Sequence, residues 1–114
     1  MVTVLFADLV GFTGMAEHLD PEQVKRFVEG AFARLAEDVV AFGGSVDKFL
    51  GDGVLALFGA PVAHEDDAER AVRAALRMQH TLEDYVTNAV ADVPVTMRVG
   101  INTGEVLVGA MRAA

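Results

Sequence analysis

Two aspartates, Asp8 and Asp52, stand where strand-like apolar runs break into glycine-containing turns. The first lies in Phe6-Ala7-Asp8-Leu9-Val10-Gly11-Phe12-Thr13, the second in Lys48-Phe49-Leu50-Gly51-Asp52-Gly53. A carboxylate at the end of a buried strand is costly without a partner, and a divalent cation is a good one. Brought together, the two side chains could hold Mg2+ against a phosphate. Each has an ordinary explanation when taken singly. An aspartate after a strand is commonly a turn or cap residue, and Asp-Gly is a common hairpin turn. The pair means more only if the fold sets both on one rim.

The elements that must position them follow from periodicity. Val2 to Ala7 is a run rich in β-branched and aromatic residues and reads as a buried strand. A brief turn or helical stretch is expected from about Val10 to Leu19. Asp20-Pro21-Glu22-Gln23 is a helix start, with Asp20 as cap, Pro21 at the first helical position and Gln23 at capping-box spacing. Val24, Phe27, Val28, Ala31, Phe32, Leu35, Ala36, Val39 and Val40 then recur on one helical face, and Gly43-Gly44 ends the helix.

Ser45 to Leu50 and Val54 to Phe58 read as strands joined through Gly51-Asp52-Gly53, and Gly59-Ala60-Pro61 stops the second. His64 to Val90 reads as a second helix with acids at its positive end. Its expected buried stripe is Ala68, Ala71, Val72, Ala75, Gln79, Leu82 and Val86. Val95, Met97, Val99 and Ile101 alternate as in a half-buried strand. Asn102-Thr103-Gly104 is expected to turn the chain into a last run, Val106 to Val108.

The order strand, helix, strand, strand, helix, strand is that of a ferredoxin-like βαββαβ fold: α+β, an antiparallel sheet with helices on one face, here plus an extra strand. That topology sets the first and third strands side by side and antiparallel, so the end of the first meets the hairpin opening the third. Asp8 is at that end and Asp52 in that hairpin. Both sheet faces carry large apolar residues, Val4 and Phe6 on one and Leu5 on the other. Two helices cover one face, so the other is expected to meet a partner. Alternation places Lys48 with Val46 and Leu50 on one face, and Asp47 with Ser45 and Phe49 on the other. A lysine on the uncovered face would line an interface cleft.

Composition bounds the rest. At 114 residues the chain is one domain or part of one, and its 53 % hydrophobic content excludes disorder. The longest apolar run, Val54 to Ala63, is too short and too broken by Gly59 and Pro61 to span a membrane, and no secretory signal is seen. No membrane contact is expected from this segment. The absence of cysteine excludes disulfides and Cys-type zinc sites and fits a cytoplasmic protein. The net charge of −8 argues against a nucleic-acid surface. It also means that a polyphosphate ligand would need metal ions, backbone N–H groups or local Lys and Arg to offset repulsion.

Gly11-Phe12-Thr13 is a turn with a possible cap at Thr13; beside a metal-binding aspartate its backbone N–H groups would cradle phosphate. Gly51-Asp52-Gly53-Val54-Leu55-Ala56 matches the loose pattern G-x-G-x-x-A but precedes a strand-like run rather than a helix, so a dinucleotide site is rejected. His18, His64 and His80 have no ligand spacing. Arg70, Arg73 and Arg77 read as a solvated helix face paired with acids.

At these residues the chain resembles the class III nucleotidyl cyclases, the catalytic domains of adenylyl and guanylyl cyclases. The segments Phe6 to Thr13 and Lys48 to Asp52 resemble the family's two metal motifs, and Val99-Gly100-Ile101-Asn102-Thr103-Gly104 resembles its late strand and turn. The resemblance covers essentially the whole chain, in order. It implies that Asp8, Asp52 and the Leu9 carbonyl ligate two Mg2+ or Mn2+ ions, and that Gly11, Phe12 and Thr13 contact phosphates through backbone N–H groups. Lys48 matches the purine-reading position, where lysine goes with adenine and glutamate with guanine. The implied reaction is cyclisation of ATP to cyclic AMP and pyrophosphate by two-metal catalysis. It implies a site between two cyclase domains, as in a homodimer.

Departures from the family's pattern narrow the expectation. The family's asparagine that positions the ribose and arginine that stabilises the transition state lie beyond Met111-Arg112-Ala113-Ala114, and Arg112 lacks that arginine's context. Glu105 stands where some members carry a basic phosphate contact. Residues 1–114 are therefore expected to be part of a cyclase domain lacking its C-terminal portion, nearly inactive alone. The competing readings are a non-catalytic cyclase-homology module for dimerisation or nucleotide sensing, and another palm-like nucleotide enzyme. Against the latter, this chain has no Gly-Gly-Asp/Glu-Glu-Phe stretch at the hairpin.

Overall fold

Along β1 (Val2–Val10), Leu5, Ala7 and Leu9 are buried while Phe6 and Val10 are exposed and Asp8 is half-buried, the period-two pattern of a strand with one covered face. The computed structural model describes residues 1–11, 20–60, 62–88 and 95–104. The remaining elements are α1 (Pro21–Ala41), β2 (Ser45–Leu50), β3 (Gly53–Phe58), α2 (Asp67–Thr87) and β4 (Thr96–Gly104). The four strands form one sheet in the order β2-β3-β1-β4, every neighbouring pair antiparallel. This is the ferredoxin-like α+β arrangement, with β1 and β3 central as strand order requires. The helical stretch expected before Leu19 and the extra strand Val106 to Val108 lie outside the described residues.

β1 and β4 run further than their sequences suggest. β1 continues past Ala7 to Val10 because β4 pairs with it throughout, from Val2 opposite Gly104 to Val10 opposite Thr96. The same pairing corrects the expected turn at Asn102-Thr103-Gly104, which continues the ladder instead. Thr103 and Thr3 share a hydroxyl hydrogen bond of 2.8 Å across the pair. Ladder formation overrides local turn preference here.

α1 begins with the capping box. Asp20 Oδ1 accepts the Gln23 N–H at 2.9 Å, and Gln23 Oε1 accepts the Asp20 N–H at 3.1 Å. The helix buries Phe27, Ala31, Phe32, Leu35 and Val39, and ends before Gly43. Val40, expected in that stripe, is 63 % exposed on the last turn. Glycine inside a helix costs about 1 kcal/mol relative to alanine. Gly30 is placed there because the Tyr85 hydroxyl, which donates to the Phe27 carbonyl at 3.0 Å, fills the space a Cβ would occupy.

α2 corrects the expected stripe. Ala71, Ala75 and Leu82 are buried as predicted, but Ala68 and Val72 face outward and Ala74 and Met78 fill the core. The helix is rolled so that Gln79 Nε2 donates to the Met97 carbonyl at 2.9 Å at the β4 side. In an alanine-rich helix, adjacent stripes look alike in sequence, and Met78, fully buried alongside Leu82, is the large side chain that the expected stripe left out. Met78→Ala is therefore expected to cost about 2–4 kcal/mol in urea unfolding. Val72→Ala, at 48 % exposure, should stay within about 0.5 kcal/mol of the parent chain. Equal losses would return Val72 to the core. No helix among the described residues is long and apolar enough to cross a membrane.

Candidate functional site

The antiparallel pairing of β1 with β3 sets Asp8 opposite Gly53, the first residue after the hairpin turn. One position further, the Leu9 N–H donates to the Asp52 carbonyl at 2.9 Å. The two aspartates therefore occupy adjoining backbone positions on one rim, and the hairpin is tied to β1 at that point. Two local features permit the approach. Gly51 has φ +60°, which closes the two-residue turn Gly51-Asp52. Gly53 lets the hairpin lie close against β1, since a Cβ there would stand 3.1 Å from the Ala7 carbonyl oxygen and 3.3 Å from the Phe6 ring. Beyond Val10, Gly11 turns the chain with φ +90°. Phe12 and Thr13, the other predicted phosphate contacts, lie outside the described residues, as do Glu105 and Arg112.

In an antiparallel ladder a residue's N–H and C=O face the same neighbour. The Leu9 carbonyl is thus directed toward the hairpin tip that carries Asp52. Drawn together on this rim, two carboxylates and a backbone carbonyl would make an all-oxygen donor set, which suits Mg2+ or Mn2+ rather than zinc. Among the described residues no three His, Cys, Asp or Glu side chains converge. That is compatible with Mg2+, which is commonly held by one or two carboxylates together with substrate phosphates.

Sequence reasoning missed Arg98. It stands directly opposite Asp8 on β4. Its Nε lies 3.4 Å from Asp8 Oδ1 and its Nη2 3.2 Å from Oδ2. The Asp8 side chain is 23 % exposed and that of Arg98 is 77 % exposed. In sequence it is an ordinary polar position between Met97 and Val99, and its partner follows only from the register of two strands, ninety residues apart along the chain.

Lys48 lies on the uncovered face, as expected, but the path there differs. A register shift between Val46 and Lys48 makes Asp47 a bulge. Val46 pairs with Ala56 and Phe49 with Val54, both helix-side core residues, while Lys48 pairs with Leu55 and Leu50 with Gly53. Val46 therefore leaves Lys48's face, and Asp47 belongs to neither alternation. Phe49 stacks on Phe32 beneath α1 with ring centroids 5.6 Å apart. The uncovered face presents Phe6, Val10 and Leu50, each more than a third exposed, around Asp8, Lys48 and Arg98. Lys48 does not touch Asp8: it sits two strands over, about 10 Å across the sheet.

A groove of about 790 Å³ runs on the helix side of the hairpin, walled by Val24, Val28, Phe32 and Phe49 with Asp52 at one end. Lys25 and Glu29 also line it, whereas Asp8, Lys48 and Arg98 belong to the opposite face of the sheet.

A four-stranded antiparallel sheet with both helices on one face and two aspartates on one rim defines a palm-type α+β domain. The chain belongs to the adenylate and guanylate cyclase catalytic domain family, whose model matches residues 1–114. Adenylate cyclase 1 of Rhizobium meliloti is 36 % identical over 114 residues, covering 98 % of this chain and 17 % of that protein. Guanylate cyclase soluble subunit beta-2 of Rattus norvegicus is 31 % identical over 107 residues, covering 94 % of this chain and 16 % of that protein. Among solved structures, the adenylyl cyclase CyaB from P. aeruginosa superimposes with a TM-score of 0.85 at 30 % identity. It covers 90 % of this chain and 55 % of its own. The guanylyl cyclase Cya2 gives 0.78 at 39 % identity, with 90 % and 53 % covered. The chain thus spans under a fifth of these curated relatives and about half of the solved domains.

Proposed function

We propose that the parent of this chain is a cytoplasmic adenylyl cyclase, converting ATP to cyclic AMP and pyrophosphate at the interface of two cyclase domains. Residues 1–114 supply the metal and phosphate half of that site. The observation that carries this reading is the Leu9 N–H to Asp52 carbonyl hydrogen bond beside the Asp8–Gly53 pair. In this reading Asp8, Asp52 and the Leu9 carbonyl hold two Mg2+ or Mn2+ ions. Bound there, the ions supply Lewis-acid chemistry, making the ribose 3′-hydroxyl more acidic and neutralising charge on the phosphates. The backbone of Gly11, with Phe12 and Thr13, binds phosphate oxygens. Lys48 donates to adenine N1, which favours ATP over GTP; the relatives include both kinds of cyclase, so this preference rests on Lys48 alone. The apolar residues of the uncovered face, Phe6, Val10 and Leu50, are covered by a second cyclase domain, an identical chain in the simplest assembly.

Calorimetry of Mn2+–ATP binding tests the metal site directly. Asp8→Ala and Asp52→Ala are each expected to weaken binding at least about tenfold, since each removes a charged ligand. Unchanged affinity in both variants would end the two-carboxylate reading.

A further inference from the structure

Arg98 holds both oxygens of Asp8, one of the two carboxylates assigned above to the metal. This pair is built into the sheet. Asp8 and Arg98 are directly opposed across β1 and β4, where Cβ atoms stand within about 5.5 Å, so the backbone itself delivers the guanidinium to the carboxylate. The carboxylate is largely shielded while the arginine beside it is largely exposed. On the same face of β4, the next position is Gly100, and a Cβ placed there would meet no atom within 4 Å. Open space therefore lies beside Arg98, into which its guanidinium can move without displacing a side chain.

We propose that Arg98 is an internal counter-ion that holds Asp8 closed to a divalent ion arriving alone. The proposal rests on the reading of Asp8 as a metal ligand. A fork-shaped guanidinium on both carboxylate oxygens leaves only the outward lone pairs for an incoming cation, and the two cations repel across one carboxylate. A metal that arrives alone must displace the arginine with nothing to offer it. A metal that arrives on a polyphosphate brings anionic oxygens to which the displaced guanidinium can turn. Arg98 thereby biases the site against metal loading ahead of the nucleotide.

The test is Mn2+ binding to the full chain without nucleotide, followed by the loss of the free-ion electron paramagnetic resonance signal. Arg98→Gln is expected to raise affinity for Mn2+ alone about threefold to tenfold, the range for a partly shielded ion pair with added cation repulsion. Arg98→Lys should fall between the two. Affinity of the Arg98→Gln chain for preformed Mn2+–ATP, read by calorimetry, should not rise with it. Arg73→Gln removes an equivalent charge from α2 and should change nothing. Unchanged or weaker Mn2+ binding in Arg98→Gln, with Asp8→Ala still abolishing it, overturns the proposal and leaves the metal site standing. Mn2+ binding indifferent to Asp8→Ala removes both. The fold is secured independently by an unchanged melting temperature.

Discussion

Asp52→Asn in the parent protein is expected to lower cyclic AMP formation from ATP at least a thousandfold while leaving the fold intact. Asp52 is exposed in the turn between β2 and β3, and what ties it to β1 is its backbone carbonyl, which asparagine keeps. Asparagine also suits a turn of this kind, so stability should change by less than about 0.5 kcal/mol. The chemistry has no such substitute. A neutral amide in place of one of two carboxylates removes a full negative charge from the donor set. Metal-supported stabilisation of a displacement at phosphorus is worth several kcal/mol, and each 1.36 kcal/mol is a factor of ten in rate. Asp8→Asn is the less clean experiment, because it also releases Arg98 from its only described partner. Initial rates with Mn2+ and a thermal melt on the same sample check both halves. A variant within about threefold of the parent rate would place the reaction's carboxylates elsewhere.

The rim on which this depends was legible because it follows from strand order alone. Apolar runs, the Asp20 cap and the Gly51-Asp52-Gly53 hairpin fixed the sequence of elements, and the ferredoxin-like order then left one way to seat Asp8 against the hairpin. The details that sequence misread depend on interactions between distant segments. β1 extends through Val10, and Asn102 to Gly104 stay in β4, because each satisfies the other's ladder hydrogen bonds. The bulge at Asp47 has no local marker, since Ser45 to Leu50 alternates equally well in either phase. The stripe on α2 was misplaced by one neighbouring row because alanines bury equally well in several orientations, and Met78 takes its buried place only once the assembled core exists to receive it. Arg98 was invisible for the same reason: what makes it part of the site is a register, not a motif.

On the proposed reading of Lys48, Lys48→Glu is expected to exchange the purine preference of the parent protein. Lys48 is exposed on the uncovered face opposite Leu55, so its replacement should cost the fold little. Adenine offers an acceptor at N1, which an ammonium can satisfy; guanine offers donors at N1 and at its amino group, which only an acceptor such as glutamate can take. Glutamate facing adenine leaves the base's acceptor unmatched and adds a charge with no partner. A site built on such a hydrogen bond rejects the wrong base strongly, and a loss of about a hundredfold in kcat/KM for ATP, with a gain for GTP, is expected. Equal losses with both nucleotides would assign Lys48 to assembly rather than to base reading. The geometry adds a sharper form of the experiment. Lys48 and Asp8 share a face but stand about 10 Å apart on one chain, so in a two-fold dimer each site can take its lysine from one chain and its aspartates from the other. Mixing inactive Asp52→Asn chains with Lys48→Glu chains should then restore about a quarter of the parent activity, because random pairing gives half mixed dimers, each with one intact site. No recovery from chains shown to exchange would confine base and metal recognition to a single protomer, and the uncovered face would need another occupant.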